Sequence, residues 1–120
     1  MTTELIGSVT IAPAVLVTIV SLTTQDVPGV ARLGSVPGNQ RVGHLWSGTA
    51  SGGVLVRVID EAVQVDCYIV ARAGTNLVQL GQTVQAAIAD ALRELVGMPV
   101  RGVNVYIQDV SEPVAEARAL

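Results

Sequence analysis

The sequence predicts an α+β fold: a two-layer sandwich in which a small mixed sheet carries two main helices packed on one face. Two alternating apolar runs, Val54 to Val58 and Val63 to Ala71, flank the carboxylates Asp60 and Glu61 and read as a hairpin. Leu77, Leu80, Val84, Ile88, Ala91 and Leu95 recur every three or four residues and read as an amphipathic helix. Each later strand has one apolar and one mixed face, the pattern of a sheet covered by helices on one side. At 120 residues the chain has room for a single domain, 1–120.

Taken in order, Leu5 to Ile11 alternates loosely and predicts a short strand. Leu5 to Gln25 is free of charge for 21 residues, long enough to raise the question of a membrane span. Pro13 argues against it: a proline fits the first turn of a helix and breaks its interior, so the helix starts near Ala12 or Pro13. From there to Gln25 it covers roughly 20 Å, short of a bilayer core of about 30 Å. Thr18, Ser21 and Gln25 form a polar stripe on it, and the wide apolar remainder is expected to be buried on more than one side. Val27-Pro-Gly-Val30 ends the helix and Val30 to Val36 reads as extended. Residues 34–53 contain six glycines and read as one long irregular loop.

In the hairpin, pairing Ile59 with Ala62 across a two-residue turn sets Val58 against Val63, Val56 against Val65 and Val54 against Cys67; Asp60-Glu61 is not the Asn-Gly or Asp-Gly such turns prefer, so a longer loop of the same parity is the alternative. A slip by one residue would oppose these valines to Gln64 and Asp66, so the apolar pattern selects the register. The same register puts Arg57 beside Gln64 and diagonal to Asp66, within reach of an ion pair. Asn76 is the expected N-cap of the second helix, with Gln79 three residues on, and Gly97 followed by Pro99 ends that helix after Val96. Gly81 lies beside its apolar stripe and is expected to permit a close approach by a neighbouring element. Val103, Val105 and Ile107 alternate with Asn104, Tyr106 and Gln108 in a last strand, and the tail at 111–120 is expected to fray or form a short helical turn.

Composition narrows the function. Half the residues are hydrophobic, with 22 valines and 14 alanines, as in a packed domain. All seven basic residues are arginines and the net charge is -3, so a broad basic footprint for nucleic acid is absent. A single cysteine, Cys67, and a single histidine, His44, allow neither a disulfide framework nor a multi-ligand soft-metal site. Glu4 and the lack of a basic leader disfavour a signal peptide, which with the unpaired cysteine leads to the expectation of a cytoplasmic protein.

Several segments together resemble the alkaline shock protein family, a group of bacterial envelope stress response proteins. They are IAPAVLVTI at the first helix, VPGVARL at 27–33, GGVLVRVIDEAVQVDCYIVARAGTN at 52–76, TVQAAIADAL in the second helix and VGMPVRGVNVYIQDV at 96–110. The family pattern falls on Gly29, Val30, Gly74, Asn76, Val84, Gln85, Val103, Asn104, Val105, Asp109 and Val110, which look architectural. The resemblance implies a small cytoplasmic, non-enzymatic bacterial protein connected with envelope homeostasis, acting as a homo-oligomer or beside the membrane through partners. Other members are linked to regulation of fatty-acid synthesis, so a regulatory partner of such an enzyme is an alternative. The chain departs from the family in having no lysine, an uncharged first helix and no extended charged tail.

The reactive residues point away from catalysis. His44 lies in the glycine-rich loop without an orienting carboxylate nearby, and Cys67 falls on the apolar strand face as a small buried hydrophobe. Gly48 to Gly53 has Walker-like glycine spacing, yet Val54 and Leu55 stand where lysine and a hydroxyl would hold phosphate and magnesium. No catalytic residue, cofactor, metal or small-molecule substrate is therefore expected. The outer sheet face is the candidate interaction surface, carrying Arg57, Tyr68, Arg72 and Tyr106 among Leu55, Ile59 and Val70, with Trp46 as a further anchor. Leaving those aliphatics in water would expose an apolar patch, so a protein partner or a second copy is expected to cover it. Aromatics and arginines on a sheet could also stack RNA bases, an alternative that two tyrosines and a negative net charge disfavour.

Overall fold

The structure is a computed structural model that describes residues 6–38 and 48–112. Its elements run α1 (Pro13–Gln25), β1 (Val30–Leu33), β2 (Thr49–Ser51), β3 (Val54–Ile59), β4 (Ala62–Arg72), α2 (Leu77–Ala91), a π turn (Leu92–Val96) and β5 (Val100–Ser111). The mixed five-stranded sheet is built around β4. Along one edge β5 runs parallel to it, from Val63 opposite Val100 to Arg72 opposite Ser111. The other edge is shared end to end by two antiparallel strands, β3 against Ala62 to Cys67 and β1 against Ile69 to Ala71. Where they meet, the Tyr68 N–H donates to the Gly53 carbonyl and the Tyr68 carbonyl accepts from the Gly34 N–H, each at 2.7 Å. One residue of β4 thus stitches both neighbours in place.

The hairpin takes the register its valines select: Val58 opposite Val63, Val56 opposite Val65, Val54 opposite Cys67. Asp60 and Glu61 both have positive φ, 51° and 66°, the two left-handed positions of a type I′ turn. That turn matches the twist of the strands but strains a residue with a Cβ. Glu61→Gly should therefore raise stability by about 1 kcal/mol, read as a higher melting temperature. An unchanged or lower melting temperature would mean that Glu61 carries no such strain.

Both helices lie on the face formed by Val54, Val56, Val63, Val65, Cys67, Ile69 and Ala71. α1 contributes Leu16, Val17 and Val20, and α2 contributes Leu80, Val84 and Ile88, followed by Leu92 of the π turn. Pro13 is the first residue of α1, where its missing N–H costs nothing. The Thr18 hydroxyl, on the polar stripe, donates to the Ala14 carbonyl at 3.2 Å. Val15 and Leu22 stay exposed, so α1 is buried along one side and not on several as its composition suggests. No helix among the described residues is long and apolar enough to cross a membrane. In α2 the Asn76 side chain accepts from the Gln79 N–H at 3.0 Å, the expected cap.

Four expectations are corrected. Residues 6–12 form no strand; Gly7 has φ +105°, which interrupts an extended run, and Ile6 and Val9 are exposed. The glycine-rich segment is not irregular throughout, because Thr49–Ser51 pairs with β3 across the turn at Gly52 and Gly53. The second helix does not stay α-helical to Val96: the Gly97 N–H reaches back five residues to Leu92, and the wider winding turns Leu95 out to solvent. Gly81 admits no close neighbour, since a Cβ placed there would meet nothing within 4 Å. The rest of the glycine-rich loop, with His44 and Trp46, and the tail beyond Glu112 lie outside the described residues.

Candidate functional site

The outer face of the sheet holds four of the expected interaction residues in three rows. Arg57 is level with Gln64, Tyr68 is level with Tyr106 and Arg72 is level with Ser111. At about 3.3 Å per residue, the Arg57 and Arg72 rows lie roughly 26 Å apart along β4. The two guanidinium groups therefore cannot clamp one small anion. Trp46, the fifth of these residues, lies outside the described residues.

Between those rows the face is closed by the chain itself. Leu55 and Val70, expected to need a partner or a second copy to cover them, are 2% and 4% exposed within the chain alone, and Tyr68 is 4% exposed. Val36 packs with Leu55 and Tyr68 in a second small core, and the Tyr106 ring stacks on Tyr68 with centroids 4.6 Å apart and planes 13° apart. Gln108 holds the crossing segment by both ends of its amide, accepting from the Ser35 N–H at 2.9 Å and donating to the Ser35 carbonyl at 2.8 Å. An alternating pattern cannot reveal this cover, because a strand's second face looks the same whether solvent or a loop lies over it.

Asp66 is the most buried charged group on this face, at 4% exposed. One carboxylate oxygen accepts from the Asn104 amide at 2.9 Å and the other faces the Arg57 guanidinium at 3.5 Å. The Arg57 to Asp66 contact follows from the hairpin register; the Asn104 contact does not, because it needs the parallel register of β5. Buried tyrosine with a carboxylate nearby has a raised pKa: desolvation lifts that of Tyr68, and the negative charges of Asp66 and of the ionised Tyr106 phenol add to it.

Cys67, fully buried on the helix face, lies 3.5 Å from the Thr24 hydroxyl, itself buried. Burial raises the thiol pKa, partly offset by the Thr24 contact. The thiol is thereby kept protonated and poorly nucleophilic. Because the folded-state value lies above the unfolded one, this group's contribution to stability is intact below the ordinary thiol range and is lost as pH rises through it. Denaturant midpoints should fall between pH 7 and pH 10 by more in the wild type than in Cys67→Val. Equal falls would show that the thiol does not contribute.

The sequence pattern does not single out the open side of β5. No strand pairs with its outer edge among the described residues. Beside that edge, Leu77, Val78, Gly81, Gln82 and Gln85 of α2 face Val105 and Ile107 across a shallow groove. Val78 is 73% exposed and Leu77 and Tyr106 are about two-fifths exposed. The Gln85 amide donates to the Val103 carbonyl at 3.0 Å, which occupies one main-chain acceptor at the edge. No cluster of three His, Cys, Asp or Glu side chains suited to a metal occurs among the described residues.

Fold and surfaces define a small α+β domain whose described residues present apolar edges and tyrosines rather than an assembled nucleophile and base. The chain matches the model of the alkaline shock protein family, described as having a cell envelope-related function, over residues 1–112, and it belongs to that family. Among curated proteins it is 26% identical to Spy1535 of Streptococcus pyogenes serotype M6 over 112 residues, covering 92% of this chain and 84% of the relative. It is 26% identical to YqhY of Bacillus subtilis over 102 residues, 85% of this chain and 76% of that protein. Among solved structures, the copper form of the MamM CTD superposes with a TM-score of 0.56 at 15% identity, covering 82% of this chain and 86% of that one, a likeness of fold alone.

Proposed function

We propose that this chain is a non-catalytic interaction module that self-associates and serves as a cytoplasmic scaffold in cell-envelope homeostasis or stress, held beside the membrane through a protein partner. The open β5 edge carries this reading. It joins unpaired main-chain groups to exposed aliphatics of α2 in one strip, the combination that strand addition uses for affinity and specificity. The envelope-related family is consistent with it. The buried thiol of Cys67 is consistent with the absence of nucleophilic catalysis. The outer face, by contrast, offers RNA little stacking area, since Tyr68 lies beneath Tyr106 and Arg57 is engaged by Asp66.

Light scattering on the purified full chain, from low to high micromolar concentration, tests the reading. A mass that rises to that of a dimer or larger assembly is expected. A monomer throughout that range would overturn self-association.

A further inference from the structure

We infer that the occupant of the open edge is a second copy of this chain, paired antiparallel along β5 about a two-fold axis at Val105. The inference rests on the self-association proposed above and specifies its geometry. β5 is regular from Gly102 to Ile107, where Val103, Val105 and Ile107 share the face of Val65, Cys67 and Ile69. Irregularities in the ladder fall at Arg101 and at Gln108 and so bracket that run. The Val103 carbonyl is turned toward the Gln85 amide of α2. Main-chain groups alternate along a strand, so Val103, Val105 and Ile107 present theirs to the open edge.

Two copies joined there, with helices on the same side of a continuous sheet, must oppose helix-facing residues to helix-facing residues. Centring the axis on Val105 sets Val103 against the partner's Ile107, Val105 against the partner's Val105, and Asn104 against the partner's Tyr106. It also brings Arg101 beside the partner's Asp109: in rungs of the ladder from Val105, which is level with Cys67, Asp109 is three away, level with Val70, and Arg101 falls between the third and fourth, between the Gln64 and Val63 rungs. Moving the axis by one rung would instead bring Arg101 to the partner's Tyr106 and the partner's Ile107, or Asp109 to the partner's Asn104. Charge complementarity thus selects one register and one occupant. Arg101 is exposed and forms no ion pair among the described residues, and from those residues the Asp109 side chain receives only the N–H of its neighbour Val110. The same axis brings the groove side of α2, with Val78 and Leu77, toward the partner's α2.

Charge reversal tests the geometry on the full chain, with sedimentation velocity as the readout and circular dichroism as the check that each variant folds. Arg101→Asp and Asp109→Arg each place like charges across the axis and should weaken the dimer by roughly tenfold or more. The double variant R101D/D109R restores opposite charges and should regain most of the affinity. The two single variants, each weakened alone, should form a heterodimer when mixed, since both cross-axis contacts then avoid the doubled clash of either homodimer. Singles that dimerise like the wild type overturn this register while leaving self-association standing. Singles that dissociate and are rescued by neither the double variant nor the mixture overturn it as well. A monomeric wild type removes both the geometry and the reading on which it rests.

Discussion

Gly53→Ala should lose about 3 kcal/mol of stability, a large fraction of what a domain of this size has. A Cβ on Gly53 would sit 2.5 Å from the Tyr68 carbonyl oxygen, 2.9 Å from the Gly34 amide nitrogen and 3.0 Å from the Gly34 carbonyl oxygen. All three are backbone atoms, so no side chain can swing aside. Relief requires the ends of β1 and β3 to part where Tyr68 bonds to both, at the expense of two 2.7 Å hydrogen bonds. Gly81→Ala is the control: its Cβ meets nothing, and a helical alanine is about 1 kcal/mol better than glycine, so that variant should gain stability. Urea midpoints for the pair should move in opposite directions. A neutral Gly53→Ala would show that the junction at Tyr68 is looser than its hydrogen bonds indicate.

The contrast between those glycines shows where a sequence stops being readable. The hairpin register is legible because side chains alternate with a period of two and a one-residue slip would oppose the valines of β3 to Gln64 and Asp66. The cap at Asn76 and the first residue of α1 are legible because local chemistry decides them. Nothing local tells Gly53 from Gly81, since one is crowded by segments distant in the chain and the other faces open space. The direction of β5 is equally hidden: alternation in Val103, Val105 and Ile107 announces one apolar face, whether the strand runs parallel or antiparallel to β4. Its parallel course follows from the α2 crossover, which carries the chain back to the starting end of β4.

The outer face shows the same limit from the side of function. Leu55, Val70 and two tyrosines make an apolar patch in the sequence pattern, and such a patch predicts a partner. The Gly34 to Val36 segment, pinned by Gln108, and the stack of Tyr106 on Tyr68 take up much of that demand. What stays exposed moves one strand outward, to the β5 edge and the groove beside α2. Intramolecular cover on one surface thereby concentrates the apolar exposure on another, and a partner has more to gain at the edge than on the face.

Asp66→Ala should cost about 3 kcal/mol, the low end of what breaking a buried ion pair costs, because one partner retains some water. The Arg57 side chain is 22% exposed and the Asp66 side chain 5%, so an orphaned guanidinium can rehydrate only in part. Its Nε is already buried without a hydrogen-bond partner among the described residues, which leaves the carboxylate as its main compensation. The Asn104 amide would lose its acceptor as well. Asn104→Ala, which removes one neutral donor and leaves the charge pair, should cost about 1 kcal/mol. Arg57→Ala leaves the carboxylate its Asn104 bond and should fall between the two. The cycle Asp66→Ala, Arg57→Ala and the double variant, read by urea unfolding, should return a coupling of about 1 kcal/mol or more in favour of the pair. Additive losses would mean that the 3.5 Å contact contributes nothing and that Asp66 is held by Asn104 and packing alone. Replacing both partners by leucine should recover much of the loss, since apolar packing in place of a buried pair is often neutral or better.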